Sequence, residues 1–77
     1  MQMDWKNRIS EDPAVLVGKP VIRGTRLSVE FIVGLLAHDW SIEDVAKEFD
    51  ITREDVLACL AYAHHRLAEE RFYPVAG

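Results

Sequence analysis

Residues 41–64, SIEDVAKEFDITREDVLACLAYAH, constrain the fold more than any other stretch. Ser41 and Asp44 have the spacing of a capping box, with Asp in place of the more usual Glu, and start a helix running to about Phe49. Ile42, Val45, Ala46 and Phe49 form its apolar face. Thr52 and Asp55 repeat the start signal for a longer helix ending near Arg71, with Pro74 beyond. Val56, Leu60, Ala63 and Leu67 line one face of that helix at helical spacing. Leu57, Ala61 and His64 form a second, weaker stripe, and a helix with two stripes can serve its own core and a partner. Between the helices Asp50 stands where the chain must turn, and Asp tolerates the left-handed conformation better than most residues. Ala46 is small where the helices cross, and Ile51 plugs the angle between them. Upstream, Ser28 caps a helix from Val29 to about His38, with Ile32, Leu35 and Leu36 on one face. Gly34 inside it suggests close approach of another backbone.

The segment PVIRGTRLSV before that helix reads as a β-hairpin. Gly24-Thr25 as a two-residue turn with Gly first fits type II′. Ile22 then faces Leu27, an apolar cross-strand pair. The same register sets Arg23 opposite Arg26, a fork wanting a negative partner. An acid of the helices or of a second subunit is the favoured partner, and a nucleic-acid phosphate is the alternative. An isolated hairpin is marginal, so it needs a further strand from the Ile9 region or from another subunit. Asp12-Pro13 is a turn signal, and Trp5 is a candidate anchor for the N-terminal residues. The expected architecture is mostly α. A short N-terminal hairpin region (9–28) precedes a three-helix, homeodomain-like bundle (29–71), with the helix-turn-helix at 41–64 and residues 1–77 as one domain.

Seventy-seven residues allow one small core, and a chain this short favours association as a remedy for marginal stability. A homodimer is therefore expected, using the hairpin edge and the two-striped third helix. The single Cys59 excludes a disulfide framework and fits a reducing cytoplasm. The sequence shows no leader and no apolar run near bilayer length, so a cytoplasmic protein without membrane contact is expected. Net charge is -4, which disfavours broad attraction to nucleic acid. Lys19, Arg23 and Arg26 cluster early, whereas Glu43, Asp44, Glu48, Asp50, Glu54 and Asp55 cluster late.

A helix-turn-helix admits two readings: a DNA reader with its third helix in the major groove, or a three-helix core without nucleic acid. As a reader, Thr52, Arg53, Glu54, Leu57 and Ala58 would face the groove. Only Arg53 is a strong donor, and the neighbouring acids repel phosphates. Adjacent His64 and His65 diverge on a helix, His38 lies at another helix end, and no metal-ligand spacing occurs. Lys19 follows Gly18, but the second glycine and the Ser or Thr of a P-loop are missing, and Pro20 removes a backbone donor. Cys59 reads as a packing residue. No residue set supports catalysis, and no cofactor is expected. Trp40 is expected in the core. Phe72 and Tyr73 read equally as a frayed tail or as a short docking peptide.

With hairpin and helix-turn-helix together, DPAVLVGKPVIRGTRLSVEFIVGLLAHDWSIEDVAKEF followed by ITREDVLACLAYA resembles the bacterial and archaeal domain-of-unknown-function family 433, from Ile9 to about Glu70. The stretch GKPVIRGTRLSV carries the specificity of the resemblance. Gly18, Pro20, Gly24, Thr25 and Arg26 match the family signature, and Lys19 and Arg23 lie within it as interface or anion contacts. Asp39 stands where many members have Gly before the second helix. The resemblance implies kinship with VapB-type antitoxins. Such an antitoxin dimer binds a PIN-like ribonuclease toxin and represses its own operon by binding operator DNA. The competing expectation is a protein-interaction module that uses the helix-turn-helix only as a scaffold.

Overall fold

The computed structural model describes residues 4–69. The expected helix end near Arg71, together with Phe72, Tyr73 and Pro74, lies outside them. The element order is a 3-10 turn at Trp5–Asn7, strand β1 (Ile9–Ser10), a 3-10 turn at Leu16–Gly18, strand β2 (Val21–Ile22), then helices α1 (Val29–Ala37), α2 (Ile42–Glu48) and α3 (Arg53–Glu69).

Each helix begins where a hydroxyl satisfies a free backbone donor. Ser28 Oγ accepts from Phe31 N–H and Ser41 Oγ from Asp44 N–H, both at 3.0 Å. Thr52 and Asp55 form a full capping box. Thr52 Oγ1 accepts from Asp55 N–H (3.0 Å), and Asp55 Oδ2 accepts from Thr52 N–H (3.1 Å). Two of the breaks between helices sit on left-handed residues, Asp39 (φ 74°) and Asp50 (φ 53°). Short polar side chains tolerate that region best after glycine. Ile51 follows, its N–H bonded to the Ala46 carbonyl at 3.0 Å, and packs against the core.

The small sheet is antiparallel, pairing Ile9 with Ile22 and Ser10 with Val21. The strand that supports β2 thus comes from the Ile9 region of the same chain. The predicted pairing of Ile22 with Leu27 holds: Ile22 N–H donates to the Leu27 carbonyl, and Val21 bridges Ser28. The turn, however, closes one residue earlier than type II′ at Gly24-Thr25 requires. Thr25 N–H donates to the Ile22 carbonyl at 2.9 Å, which puts Gly24 third in the turn with φ 81°. The reason is the Thr25 hydroxyl. It donates to the Ile22 carbonyl (2.8 Å) and accepts from Leu27 N–H (3.0 Å), locking both sides of the loop.

The core joins Ile9 and Ile22 of the sheet to Val29 and Ile32 of α1, Val45 of α2, and Val56, Ala58, Cys59 and Tyr62 of α3. Three expectations change here. The buried face of α3 is rotated from the predicted stripe: Val56 is buried, but Leu60 is exposed and Leu67 is 61% exposed. The small Ala58 and Cys59, with Tyr62, face the other helices instead, and small residues permit closer approach. Trp40 is not core, being 37% exposed. Gly34 meets no close neighbour, since an added Cβ would find nothing within 4 Å.

Trp5, Arg8 and Glu11 clasp the N-terminal segment to α3. Trp5 meets Tyr62 edge-on with centroids 4.8 Å apart, as expected of an anchor. Tyr62 Oη donates to Glu11 Oε1 at 2.8 Å. Arg8 Nη1 donates to Asp55 Oδ1 at 3.0 Å. Asp55 thus caps α3 and holds the N-terminal segment at once.

Candidate interaction site

The residues expected to read bases are mostly committed elsewhere. Ala58 is 0% exposed, so it faces the core and not a groove. Thr52 spends its hydroxyl on the helix cap. Arg53, the one strong donor, is paired through Nη1 with Glu43 Oε1 of α2 at 2.6 Å. Leu57 is half-buried and Glu54 is exposed. The start of α3 thus presents a neutralised arginine, an acid and a leucine, a poor surface for a polyanion.

The glycine-rich signature folds differently from a charged fork. Arg23 turns back onto the N-terminal segment. Its Nε donates to the Asn7 carbonyl (3.2 Å), and Nη2 reaches the Lys6 and Ile9 carbonyls (3.4 Å each). Its backbone N–H also donates to the Arg8 carbonyl at 2.7 Å. Within the described residues the groups that Arg23 meets are backbone carbonyls, and no acid of the helices is among them. The cause is the pairing of β1 with β2, which brings three carbonyls within reach of one guanidinium. Lys19 pairs with Glu30 at 3.3 Å in solvent. Arg26 is exposed and has no ion-pair partner among the described residues. Gly18 (φ 79°) and Gly24 (φ 81°) both occupy the left-handed region, which explains glycine at each. Pro20 gives its carbonyl to Val29 N–H at 2.9 Å and so ties the signature to the start of α1.

Beside Gly18, Leu16 (φ 47°) and Val17 (φ 56°) are also left-handed. A β-branched residue is strained there, yet Val17 is 95% exposed. No residue type at Leu16 or Val17 announces this turn.

Among the described residues, two surfaces carry no partner. The first is aromatic. Phe49 meets Phe31 edge-on (centroids 5.4 Å) and stacks on Trp40 (6.2 Å), while Phe31 and Trp40 are exposed. Beside Trp40 lies an open concavity of about 700 Å³ lined by His38, Asp39, Trp40, Asp44, Lys47 and Glu48, three acids to one lysine. His38 is steered there by its Nδ1, 2.7 Å from the Gly34 carbonyl. The second surface is the outward face of α3, with Leu57, Leu60, Ala61, His64 and Leu67. Cys59 is no part of either. It is buried, and burial together with the nearby Asp55 charge pushes its thiol up to about 12, so it is inert as a nucleophile. No helix among the described residues is long and apolar enough to cross a membrane.

No curated protein and no solved structure matches this chain. Residues 9–63 match the family described as "Protein of unknown function (DUF433)". That span runs from the first sheet residue to the middle of α3 and includes the signature, its Thr25 lock and the Thr52–Asp55 capping box. With well over half of its 77 residues inside the match, the chain belongs to the DUF433 family.

Proposed function

We propose that this chain is a homodimeric, antitoxin-type protein that acts by binding a partner protein, a PIN-like ribonuclease, with its helix-turn-helix serving as a scaffold. The observation that carries this reading is the pair of exposed rings, Phe31 and Trp40, set on half-buried Phe49 beside an acid-lined concavity. Aromatic side chains are the residues that most often anchor protein interfaces. A nuclease must present a basic groove to hold RNA phosphates, and a chain of net charge -4 with acids around its anchors complements such a groove. The resemblance to VapB-type antitoxins supplies the class of partner.

A second function, operator binding, draws support from the helix-turn-helix and from exposed Arg26. The pairing of Arg53 with Glu43 and the burial of Ala58 weigh against base reading by α3. The test is co-purification with a PIN-like ribonuclease from the same genome, for the wild type and for a Phe31→Ala, Trp40→Ala double variant. A stable complex that silences the ribonuclease, lost in the double variant while the fold is retained, is expected. If no complex forms, or the double variant binds equally well, the reading fails. A mobility shift of promoter DNA at low salt, abolished by Arg53→Ala, would make the second function the principal one.

A further inference from the structure

Leu57, Leu60, His64 and Leu67 follow one another at spacings of three, four and three along the solvent side of α3. That is the a/d spacing by which two helices form a common seam. The core-facing residues Ala58, Cys59 and Tyr62 lie on the other side of the helix, with buried Val56 at the edge of the seam, and nothing among the described residues covers Leu60, His64 and Leu67. Leu67 is 61% exposed and Leu60 is also exposed. Ala61 and Ala68 run beside the seam and leave room for a second helix to approach closely.

We propose that this face is the interface between two copies of the chain. They pair as antiparallel α3 helices, with Leu57 on the partner's Leu67 and Leu60 on the partner's His64. The proposal deepens the dimeric part of the proposed function and does not depend on the ribonuclease.

Three observations select a second copy in this orientation. First, the seam is self-complementary. In a single antiparallel register all four positions meet a seam residue of the other copy, as a two-fold interface requires. A parallel pairing would instead stack His64 on His64 and bring the two Arg53 side chains together. Second, the charges agree. The first turn of α3 carries Glu54 and Asp55 and the last turn Arg66. Arg53 pairs with Glu43, Asp55 with Arg8, and Arg66 and His65 with Glu69, which leaves Glu54 as the unpaired charge at the start of the helix among the described residues. Antiparallel pairing keeps the two Glu54 side chains at opposite ends of the seam and opposes the two helix dipoles. Third, the area sets the strength. A 17-residue helix is about 25 Å long. Covering three part-exposed leucines with their flanking groups removes roughly 300–400 Å² per copy. The total falls below the ~1,200 Å² of a standard stable interface. The dimer is therefore weak and concentration-dependent.

The experiment is sedimentation equilibrium of the full chain alone, from 5 to about 500 µM, with circular dichroism confirming that each variant is folded. The wild type is expected to dimerise over this range. Leu60→Glu and Leu67→Glu, both outside the core, are expected to weaken dimerisation more than tenfold. His64→Leu, which completes the apolar seam, is expected to tighten it by about tenfold. For orientation, Leu57→Cys and Leu67→Cys proteins are mixed and oxidised. The antiparallel seam predicts the mixed disulfide in preference to either homodisulfide. A monomer at every concentration overturns the proposal, as does a dimer indifferent to Leu60→Glu, Leu67→Glu and His64→Leu, or cross-linking of Leu57→Cys chiefly to itself. Because no ribonuclease is present, failure here leaves the partner-binding result standing, and failure to bind the ribonuclease leaves this result standing.

Discussion

Removing the Asp55 carboxylate should cost this small domain a large share of its stability. Asp55 Oδ2 caps α3 by accepting from Thr52 N–H, and Oδ1 accepts from Arg8 Nη1. Loss of that half of the capping box, one backbone N–H bond to a carboxylate, costs about 1 kcal/mol. The Arg8 side chain is 39% exposed and that of Asp55 18%, so the ion pair takes a solvent-screened value of roughly 0.5–1 kcal/mol. Asp55→Ala should therefore destabilise by about 1.5–2 kcal/mol. For a domain of this length each kcal/mol moves Tm by about 4–8 °C, so the expected drop is about 6–16 °C. Asp55→Asn keeps an acceptor for Thr52 N–H but loses the charge, and should lose only the ion-pair share. Thermal and urea unfolding followed by circular dichroism, at one fixed protein concentration, measures both. A double-mutant cycle with Arg8→Ala isolates the pair and should return a coupling of about 0.5–1 kcal/mol. If Asp55→Ala unfolds within 2 °C of the wild type, or the coupling is zero, Asp55 does not join the cap to the N-terminal segment.

Three further predictions concern the signature, the thiol and the aromatic patch. Gly24→Ala forces a side chain into φ 81° and should cost about 1–2 kcal/mol, whereas Gly34→Ala, with open space at its Cβ, should be neutral or stabilising by up to ~1 kcal/mol in urea melts. Cys59 should resist iodoacetamide at pH 8 until urea unfolds the chain. Because its folded pKa of about 12 lies above its ordinary 9.0, the folded state keeps a proton that the unfolded state releases. Its stabilising contribution is thus complete below pH 9 and lost between pH 9 and 12, and Cys59→Ala should flatten that decline. Tryptophan fluorescence in a Trp5→Phe background should report Trp40 as accessible to acrylamide in the free chain and shielded in the ribonuclease complex.

What could be read from the sequence is what is local. Ser28, Ser41 and Thr52 announce their helices because a cap needs only residues three positions apart. Asp50 announces its turn because few residues accept a left-handed backbone. The pairing of Ile22 with Leu27 followed from the spacing of two apolar residues, but the turn slipped by one. The deciding contact, the Thr25 hydroxyl to the Ile22 carbonyl, competes with backbone turn types and leaves no periodic trace. Long-range contacts were out of reach. Nothing in GKPVIRGTR says that Arg23 will meet the Lys6, Asn7 and Ile9 carbonyls, because that depends on β1 lying against β2. The face of α3 was misassigned because Val56, Leu60, Ala63 and Leu67 look more apolar than Ala58, Cys59 and Tyr62. Close helix packing favours the small Ala58 and Cys59, Tyr62 meets Trp5 and Glu11 of the N-terminal segment, and Leu60 and Leu67 are left exposed. Trp40 was misplaced for a related reason. A tryptophan in an interhelical turn reads as core, whereas here its ring rests on Phe49 at the surface.

The central claim is that this DUF433 chain works by gripping a protein rather than by reading DNA. Calorimetric titration of the full chain into a PIN-like ribonuclease from the same genome, with the Phe31→Ala, Trp40→Ala variant and Arg53→Ala run in parallel, tests it most directly. The account predicts saturable binding at a fixed stoichiometry, weakened at least tenfold in the aromatic variant and unchanged in Arg53→Ala. Absence of heat and of complex at tens of micromolar, with promoter DNA bound through Arg53 instead, would contradict it.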